Sequence, residues 1–471
     1  MKNIPQLHQT VFSTIRDAAE SLGVPAYVVG GYVRDYYLGR VKEGEMDLDF
    51  VTVGSGIDLA KEVASRIEGS SLAVYKQFGT AQVKFGELEL EFVGARKESY
   101  RKNSRKPLVE DGTLEDDQLR RDLTINALSW SLNKENYGEL IDPFNGMEDL
   151  RNENIKTPID PHQTFSDDPL RMMRAIRFAS QLNFRIQEET FEAITEMSGR
   201  INIISKERII EELNKIIMSD QPSLGFTMLF KTGLLKEFFP EMHELHGVKE
   251  VNGVRHKDNF WHTLKVLDNV IELGADLWLR WSAIMHDIAK PPTQRFHKKA
   301  GWTFHGHDAL GAKWTKRIFR RLGLPLDERM RYVRKLVRLH LRPIALVSDE
   351  VSDSAIRRLI YEAGDDIDDL MKLCRADVTT KNEYKQEKYQ QNFDYVEQRI
   401  KEVEEKDRIR NWKNPLSGDE IMQALNIKPS RTVGDVKDAV KEAILNGDIP
   451  NDHDAAFEFM MKHKDDFLNN G

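Results

Sequence analysis

The chain has 471 residues, a formal net charge of −8, 40% apolar residues and a single cysteine, Cys374. This composition excludes a disordered chain, a uniformly basic chain and an internal disulfide framework, and the length predicts two or more domains. The apolar runs are shorter than the roughly 18 residues of a transmembrane helix, and the N-terminus lacks a signal-peptide pattern. We therefore expect a protein without a membrane segment, in a reducing cytoplasm, with Cys374 as a small buried side chain.

The N-terminal third alternates helix-period and strand-period patterns. Residues 7–23 predict an amphipathic helix, 26–31 a buried strand, 33–39 a helix and 46–54 a second strand. Residues 79–96, GTAQVKFGELELEFVGAR, alternate around Gly86 as a β-hairpin does. From about residue 165 the helical period continues to the C-terminus with almost no strand signal.

These patterns predict an α+β protein, in which an α/β head is followed by a mostly all-α remainder. Two stretches, 238–248 and 397–415, are typical of joints between helical subdomains. The expected domains are a head, a helical neck, a helical body and a helical tail, at residues 1–145, 146–240, 241–390 and 391–471.

Two acids flank Leu48 in the second predicted strand. Side chains at i and i+2 of a strand point to the same side, so Asp47 and Asp49 converge. Two carboxylates that face one point repel each other unless a cation lies between them, and Mg²⁺ combines carboxylate and phosphate ligands. Glu91 on the hairpin would supply a third ligand, and Glu89 on the same face is the alternative.

A double glycine precedes this strand, in VVGGYVRDYYLG at residues 28–39. Gly30 and Gly31 leave a turn without side chains, where backbone N–H groups can approach a triphosphate closely. Arg34 lies one helical turn further on, near that phosphate. Each motif alone is weak evidence, but the glycine turn followed by the acid pair within twenty residues indicates a nucleotide site.

A further site is predicted in DDPLRMMRAIRF, residues 167–178. On a helix Asp168 and Arg171 are i and i+3 and share one face, and Arg174 and Arg177 continue an adjacent stripe. A carboxylate acceptor beside a guanidinium donor matches the amino group and ring nitrogen of cytosine and adenine, and mismatches guanine and uracil. The alternative is an ordinary surface ion pair.

Five motifs resemble those of the polymerase-β-like nucleotidyltransferases, and among them the class II tRNA nucleotidyltransferase and bacterial poly(A) polymerase family. The resemblance covers residues 25–240 and rests on GGYVRDYYLGR with DLD, RRDLTINAL (120–128), IDPFNGMEDL (141–150), DDPLRMMRAIRFASQLNF (167–184) and SKERIIEEL (205–213). It implies a polymerase-β-like head in which Asp47 and Asp49 are the catalytic metal-binding pair.

The same resemblance assigns nucleotide contacts. It places Gly31 and Arg34 against the incoming nucleotide, and it implies that Arg121, Asp122 and Asn126 hold the sugar and phosphates. It also implies that the helix with Asp168 and Arg171 replaces a nucleic-acid template in selecting CTP and ATP. Asp167 departs from the Glu that is usual before Asp168 in the family.

The implied reaction is transfer of nucleotides to the 3′-hydroxyl of tRNA, with two metal ions and release of pyrophosphate. The flexible loop before RRDLTINAL has its full length, whereas CC-only members have a shortened loop, and the chain lacks an insert that marks poly(A) polymerases. Complete CCA addition from CTP and ATP is therefore favoured. A-only addition and poly(A) synthesis remain alternatives.

A second set of metal-ligand residues lies in the predicted body. The stretches NFWHTLKVLDNV, LRWSAIMHDIAKP, WTFHGHDALGA and LCRADVTTKN contain His262, His286 with Asp287, His305 with His307, and Asp377. Histidines and carboxylates on successive helices suit a divalent transition metal. The set resembles the HD phosphohydrolase superfamily over residues 250–385. In that resemblance His262, His286, Asp287 and Asp377 match metal positions, and His307 is preferred to His305.

This second set raises two alternatives, a metal-dependent phosphohydrolase whose head only holds RNA and a non-catalytic RNA-binding protein. The converging acids and the Asp168–Arg171 pair argue against both, so we favour a transferase with an accessory HD domain. Residues 313–342 contain eleven Lys or Arg and two acids, which suits phosphate backbones, although a solvated helix face has the same composition. The tail resembles the C-terminal element of related bacterial enzymes, and we expect it to contact tRNA.

Overall fold

The computed structural model describes residues 9–41, 47–101, 104–346, 352–380, 382–407, 409–410 and 412–469. The chain divides into two compact units, Met1–Phe238 and Phe239–Gly471. Their boundary falls at the start of the first predicted joint, 238–248. Among the described residues, no helix combines the length and the apolar character needed to cross a membrane.

A seven-stranded mixed sheet forms the centre of the first unit, with strands in the order β3-β4-β5-β2-β1-β8-β9. β6 pairs only with β7, and β10 only with β11. The strands of this unit are β1 Ala26–Val29, β2 Asp47–Thr52, β3 Ser71–Tyr75, β4 Thr80–Phe85, β5 Leu88–Gly94, β6 Arg96–Arg101, β7 Ser104–Asp111, β8 Ser129–Ser131, β9 Leu140–Ile141, β10 Asn154–Ile155 and β11 Arg185–Ile186.

The helices of the first unit lie mostly after the sheet in sequence. They are α1 Gln9–Leu22, α2 Gly31–Tyr37, α3 Gly56–Arg66, α4 Leu114–Leu119, α5 Gly146–Arg151, α6 Pro161–Asp167, α7 Leu170–Leu182, α8 Glu188–Met197, α9 Lys206–Ile217, α10 Pro222–Lys231 and α11 Leu234–Phe238. The head therefore has mixed α and β structure and the neck is helical, as the sequence predicts.

Alternation along β2 decides which of its side chains can reach a ligand. Leu48 and Phe50 are buried, and the Phe50 ring contacts both Phe12 of α1 and Phe92 of β5, with centroids 6.0 and 5.1 Å away. Each buried ring of this kind contributes roughly 2–3 kcal/mol to folding. Helix α1 packs on the face of the sheet that carries Phe50, so Asp47 and Asp49 lie on the opposite face.

The second unit is helical apart from two short antiparallel pairs, β12 with β13 and β14 with β15. Its elements are α12 Pro240–His243, β12 Glu250–Val251, β13 Val254–Arg255, α13 Asn259–Glu272, α14 Leu277–Met285, α15 Lys290–Thr293, β14 Arg295–His297, β15 Gly301–Thr303, α16 His307–Leu322, α17 Glu328–Leu339, α18 Arg342–Ala345, α19 Asp353–Ala363, α20 Ile367–Asp377, α21 Glu383–Asp407, α22 Gly418–Leu425, α23 Arg431–Asn446, α24 His453–Lys462 and α25 Lys464–Asn469.

Helix α14 is the central element of this unit. It packs against α13, α17 and α20, and every residue from Leu279 to Met285 is buried. Asp276 caps its N-terminus by accepting hydrogen bonds from the N–H groups of Trp278 and Leu279. The residues that follow the C-terminal end of α14, His286 and Asp287, therefore lie in the core.

Three local predictions need correction. The predicted flexible loop contains a paired β-hairpin, β6 with β7. Asp168 is not helical, because it lies in an extended conformation between α6 and α7, and α7 begins only at Leu170. The predicted joint from 397 is helical as far as Asp407, because α21 continues through it, so the chain leaves the helix only in the second half of that range.

Candidate active sites

The strand acids lie where the alternation places them. Asp47 and Asp49 are exposed on one side of β2, while Leu48 and Phe50 are buried on the other. Strand β5 runs parallel to β2 in a register that sets Glu91 opposite Asp49. In a parallel pair, residues in register point to the same face, so these three carboxylates share one surface of the sheet.

The same register sets Glu89 opposite Asp47, but Glu89 is already engaged. Its carboxylate accepts hydrogen bonds from Lys84 Nζ at 2.7 Å and from Gln82 Nε2 at 3.0 Å. Glu91 has no such ion pair in the described part of the chain. Glu91 is therefore the better candidate for a third metal ligand.

The electrostatics of these acids fit a bound cation. Burial raises the pKa of Glu91, and the nearby Asp49 and Asp47 carboxylates raise it further. Burial also raises the pKa of Asp49, with the Arg121 guanidinium opposing the shift and Asp47 adding to it. A divalent cation would relieve this repulsion, and an all-oxygen donor set suits Mg²⁺.

The glycine turn lies directly beside the acids. Gly30 has φ +79°, and a Cβ there would lie 3.2 Å from Arg121 Nη1 and 3.7 Å from Asp49 Oδ2. Glycine is thus needed for both the backbone conformation and the space. The Gly30 N–H donates to Leu128 O at 3.1 Å and is therefore not available to a phosphate. The predicted backbone contacts with phosphate would come from N–H groups further along the turn.

Arg34 is held in place on three sides. It donates through Nη1 to Asn126 Oδ1 at 2.7 Å and through Nε and Nη2 to Asp35 at 2.8 and 2.7 Å. Its guanidinium also lies over the Phe178 ring, 4.8 Å from the centroid. Asn126 in turn donates to Asp122 Oδ1 at 3.1 Å, so three predicted nucleotide residues form one connected network.

Asp122 links this network to α7. Arg174 Nε donates to Asp122 Oδ2 at 2.5 Å. Burial alone would raise the pKa of Asp122, but Arg174 and Asn126 hold it well below its usual range. Asp122 therefore stays ionised and orients Arg174, and it also lines the cavity described below, where the predicted nucleotide contact would form.

Sequence reasoning missed Asp117, which anchors the two arginines of the RRD motif. Asp117 is fully buried, and it accepts from Arg120 Nε at 2.9 Å and from Arg121 Nη2 at 3.0 Å. Removal of one partner of such a buried pair is far more costly than loss of a surface pair. Asp117 belongs to the stretch EDDQ, and its i+3 and i+4 spacing from Arg120 and Arg121 was the available signal.

Asp168 and Arg171 do not form the ordinary surface ion pair that was the alternative to a base-recognition role. Asp168 accepts from Arg208 Nη2 at 3.0 Å and from Leu170 N at 3.1 Å, while Arg171 Nη2 donates to Arg120 O at 2.6 Å. The reason is that Asp168 precedes the helix instead of lying on its face. Each group keeps hydrogen-bonding capacity, because a carboxylate accepts about four hydrogen bonds and a guanidinium donates five.

Helix α9 completes this side of the site. Buried Arg177 pairs with buried Glu212 at 3.2 Å, and its guanidinium lies 4.1 Å from the Phe178 ring centroid. Arg208, Glu212 and their neighbours belong to the motif SKERIIEEL, to which no role was assigned from the sequence. The helical period of that motif was the available signal, since Arg208 and Glu212 are i and i+4.

These side chains surround a cavity of about 680 Å³. Its lining includes every predicted nucleotide-binding residue, namely Gly30, Gly31, Arg34, Arg121, Asp122, Asn126, Asp168, Arg171, Arg174 and Arg177, together with Asp49 and the α9 residues Arg208, Glu211, Glu212 and Lys215. A smaller cavity of about 260 Å³ is lined by Asp49, Glu91 and Arg96 among others. Asp49 thus borders both cavities.

The second unit contains a compact cluster of imidazoles and carboxylates. His262 Nε2 lies 2.9 Å from Asp377 Oδ1 and 3.4 Å from Asp287 Oδ2, and His286 Nε2 lies 3.1 Å from that same oxygen. The other oxygen of Asp287, Oδ1, lies 3.2 Å from His307 Nε2. All five predicted HD residues are therefore together, and His305 is exposed outside the cluster.

His340 joins this cluster and was missed. Its Nε2 lies 3.2 Å from His307 Nε2 and 3.9 Å from Asp287 Oδ1. Burial, with a contribution from His286, lowers the pKa of His340 to about 4, so its imidazole is neutral at physiological pH and can act as a ligand. A single histidine in the basic sequence RLHLRP gives no signal of this position.

Three of these histidines are oriented in the same way. His286, His307 and His340 each direct Nδ1 at the backbone carbonyl three residues earlier, at 2.7 Å in every case. His262 Nδ1 instead lies 2.9 Å from Thr379 Oγ1. A hydrogen bond at Nδ1 leaves Nε2 as the free ligand atom, which is the usual arrangement at metal sites.

The ligand atoms of the cluster lie close enough together to share an ion. Those of His262, His286 and Asp287 lie within 4.8 Å of one another, and so do those of Asp287, His307 and His340. Lys290 Nζ lies 2.5 Å from Asp287 Oδ2, which partly compensates the charge of that carboxylate. A nitrogen and oxygen donor set of this kind suits a divalent transition metal. Cys374 is not part of the set, because its buried thiol donates to His340 O at 3.0 Å.

Three family models match the chain in sequence order. They are described as "Poly A polymerase head domain" over residues 26–156, "Probable RNA and SrmB- binding site of polymerase A" over 183–245 and "HD domain" over 259–381. Fold and matches together define a protein with a nucleotidyltransferase head of the poly(A) polymerase type and an HD domain.

Two relatives identify the family within this class of protein. The A-adding tRNA nucleotidyltransferase of Deinococcus radiodurans is 30% identical over 91% of this chain and 94% of that protein. The multifunctional CCA protein of Haemophilus influenzae is 30% identical over 81% of this chain and 91% of that protein. The chain therefore belongs to the tRNA nucleotidyltransferase family, as its motifs indicate.

A solved structure agrees with the fold. The CCA-adding enzyme of Bacillus stearothermophilus in complex with CTP is 21% identical and aligns over 99% of this chain and 100% of that chain, with a TM-score of 0.69. This similarity confirms the predicted architecture of an α+β head followed by helical domains.

Proposed function

We propose that this enzyme adds C, C and A to the 3′ end of tRNA from CTP and ATP, with release of pyrophosphate. The observation that carries the proposal is the single cavity that contains Asp49 at one side and Asp168 with Arg171 at another. One cavity can thus hold the triphosphate near the acids and the base near a carboxylate and a guanidinium. Membership of the tRNA nucleotidyltransferase family supports tRNA as the acceptor.

Asp47, Asp49 and Glu91 would hold Mg²⁺. When bound, this ion would lower the pKa of the RNA 3′-hydroxyl and neutralise charge on the triphosphate, with a second ion on the triphosphate itself. Arg34 and Arg121 are oriented by Asn126 and Asp117, and they would hold the phosphates without moving during transfer. Transfer to a positioned hydroxyl needs no covalent intermediate on the protein.

Base selection would depend on the hydrogen-bonding positions of Asp168 and Arg171 that their protein partners leave unused. Asp168 already accepts from Arg208 and Leu170, which fixes its carboxylate while leaving acceptor sites for the amino group of cytosine or adenine. Arg171 is fixed by Arg120 O and retains donors for the ring nitrogen. Uracil and guanine present the opposite order of donor and acceptor on that edge, so each would leave these groups unpaired.

A-only addition is the second candidate, and the Deinococcus radiodurans relative named for that reaction supports it. The two reactions differ in the RNA end that the enzyme extends and in whether CTP is used. The test uses three tRNA transcripts, ending at the discriminator base, after one added C and after two, each incubated with CTP, ATP or both. Full CCA addition predicts three added nucleotides on the shortest transcript. Extension only of the transcript ending in CC, and only with ATP, would show A-only addition.

We also propose that the HD cluster holds a divalent transition metal and hydrolyses phosphate ends of RNA, such as 2′,3′-cyclic or 3′-phosphates. The convergence of the ligand atoms of His262, His286 and Asp287, and of Asp287, His307 and His340, each group within 4.8 Å, supports a metal here. When bound, the ion would supply an activated water and polarise the phosphate. Lys290, beside Asp287, would provide a positive charge toward a phosphate oxygen.

Metal content tests this second proposal independently of activity. The purified protein, loaded with Ni²⁺, Co²⁺ or Mn²⁺ and dialysed, should retain metal by elemental analysis. His340→Ala should weaken retention by about tenfold or more, since this residue would be a ligand. His305→Ala is the matched control, because His305 is exposed, and it should retain metal as the unaltered protein does. Equal retention by both variants would remove His340 from the ligand set.

A further inference from the structure

Three guanidinium groups in the cavity of about 680 Å³ converge on one aromatic ring, that of Phe178 in α7. The Cζ atom of Arg177 lies 4.1 Å from the ring centroid, that of Arg34 lies 4.8 Å away and that of Arg174 lies 5.6 Å away. All three distances are inside the roughly 6 Å within which an aromatic ring attracts a cation. The ring is buried and is a shared contact of three residues that are predicted to bind the nucleotide.

The three arginines reach the ring from different positions. Arg174 precedes Phe178 by four residues on α7, so the two side chains share one face of the helix. Arg34 comes from α2. Arg177 is the neighbour of Phe178 in sequence, and adjacent side chains on a helix diverge by about 100°, so its guanidinium lies over the ring because the side chain turns back. Glu212 of α9 pairs with Arg177 at 3.2 Å and holds it there.

This convergence brings like charges close together. Burial lowers the pKa of Arg177; Glu212 opposes this shift, whereas Arg174 and Arg34 add to it. The lining of the whole cavity contains eight Lys or Arg side chains and five acids. An excess of cations suits a triphosphate, but it also means that the guanidiniums repel one another in the free protein. A stabilising contact is therefore needed to keep them close.

An aromatic ring supplies such a contact without cancelling charge. Each of the three guanidiniums already has one carboxylate partner, namely Asp35 for Arg34, Asp122 for Arg174 and Glu212 for Arg177. A further acid at position 178 would attract the three cations, but it would also repel the phosphates of a nucleotide. The face of the Phe178 ring is electron-rich and has no net charge, so it attracts guanidiniums and leaves their charge available to an anion.

We infer that Phe178 is a positioning residue of the nucleotide site, whose ring keeps Arg34, Arg174 and Arg177 in the arrangement that binds a nucleoside triphosphate. The inference rests on the proposed function for the identity of the ligand in this cavity. It gives the ring an electrostatic role in addition to its packing in the core. Phe178 acts through the three arginines.

The first test is Phe178→Leu in the full-length protein, which keeps an apolar side chain and removes the aromatic face. Binding of CTP and of ATP, each with Mg²⁺ and without tRNA, is measured by isothermal titration calorimetry. We expect both dissociation constants to rise by about tenfold or more, because both nucleotides would use the same arginines. The KM for CTP should rise by a similar factor. The preference for CTP over UTP should stay within about twofold, since it would depend on Asp168 and Arg171.

Phe226→Leu is the matched control. Phe226 is fully buried in α10, which packs against α7, and among the described residues no guanidinium lies over its ring. This variant loses the same kind of ring from the core of the same unit, so it reports the effect of a packing defect alone. It should keep both dissociation constants within about twofold of those of the unaltered protein. Equal dissociation constants for the two leucine variants would contradict the electrostatic role.

A second measurement separates the charge distribution of the ring from its shape. Fluorinated phenylalanines, introduced at position 178 by amber suppression, nearly keep the shape of the side chain, while their fluorine atoms withdraw electron density from the ring face. CTP affinity should fall in the order phenylalanine, 4-fluorophenylalanine and pentafluorophenylalanine, with a total loss of about fivefold or more. This series decides the question if Phe178→Leu does not fold, as judged by thermal unfolding.

The outcomes distinguish this inference from the proposed function. If the unaltered protein binds CTP but does not extend tRNA, CCA addition is refuted and the role of Phe178 is decided by the binding data. If the unaltered protein binds CTP, and neither Phe178→Leu nor the fluorinated proteins bind it more weakly than the Phe226 control, the ring only packs and the inference is wrong. Absence of CTP and ATP binding by the unaltered protein would overturn both.

Discussion

The two candidate sites shift the pKa of their carboxylates in opposite directions. In the head, Asp49 and Glu91 face each other across neighbouring strands, and both have a raised pKa because burial and the adjacent acids disfavour their charge. In the HD cluster, Asp287 and Asp377 have a lowered pKa, because the imidazoles of His262 and His286 outweigh the burial of each carboxylate, with Lys290 adding to the effect on Asp287.

This difference indicates what each site is built to bind. Asp49 and Glu91 border a cavity, so they can share a cation with a substrate that enters and leaves. The HD carboxylates are enclosed by fixed imidazoles, with Asp287 only 1% exposed, which suits a resident ion. The predictions below test this contrast.

The largest effect is expected from the head acids. Asp49→Asn removes a metal ligand without changing size, and nucleotide addition should fall about a thousandfold, which corresponds to about 4 kcal/mol of lost charge stabilisation. Asp47→Asn should act in the same direction. Single-turnover rates with saturating tRNA and CTP measure the loss. Glu89→Gln is the control, because Glu89 is held by Lys84, and it should stay within about twofold of the unaltered rate.

Metal binding and hydrolysis at the HD cluster should be separable from nucleotide addition in the head. His286→Ala with Asp287→Ala removes two ligands, so bound transition metal and any hydrolysis of 2′,3′-cyclic phosphate should fall below detection. Nucleotide addition should remain within about threefold, since its acids lie in the other compact unit. Circular dichroism establishes that the variant is folded. A folded variant that keeps its hydrolysis, or loses nucleotide addition, would contradict the separation.

A smaller effect is expected for base choice. Asp168→Ala removes the acceptor for the amino group, so the preference for CTP over UTP should weaken by about 1–3 kcal/mol, or about 5- to 150-fold in kcat/KM. Glu211→Gln is the matched control, because Glu211 lines the same cavity but pairs with Lys215. An unchanged CTP preference in Asp168→Ala would mean that the base is recognised elsewhere.

The smallest effect is on stability, and its sign follows from the raised pKa of Asp49. A raised carboxyl pKa means that the folded protein binds the proton more tightly than the unfolded chain, so the ionised group destabilises the fold above that pKa. Asp49→Asn should therefore raise Tm at neutral pH without Mg²⁺, and the gain should disappear near pH 3, where the unaltered carboxyl is protonated. Scanning calorimetry at both pH values measures this. A lower Tm for the variant at neutral pH would show that Arg121 outweighs the repulsion.

Periodicity was a good guide to the elements that position the head acids. The alternation of Asp47, Leu48, Asp49 and Phe50 predicted which face each side chain occupies, because one face of β2 had to be buried. The register between β2 and β5 was not predictable, since it depends on tertiary pairing. That register, together with Lys84, is what favours Glu91 over Glu89.

The misses have two physical causes. Arg208 and His340 contact residues that are distant in sequence, Asp168 for the first and His307 and Asp287 for the second, and a single sequence carries no information on such contacts. Asp117 pairs with Arg120 and Arg121 at i+3 and i+4, a spacing visible in the sequence, but its burial depends on tertiary packing. Asp168 was placed on one helix face with Arg171 from their i and i+3 spacing, yet the residue before a proline, here Pro169, is biased toward extended conformations. The carboxylate and the guanidinium therefore have separate partners, Arg208 and the Arg120 carbonyl.

The carbonyl contacts of His286, His307 and His340 have an evolutionary consequence. A main-chain oxygen cannot be deleted by a point mutation, so the ring orientations are insensitive to drift in the surrounding side chains. The direction of each Nε2 is then set by the main chain, so metal affinity depends on which side chains occupy the ligand positions and less on the identity of their neighbours.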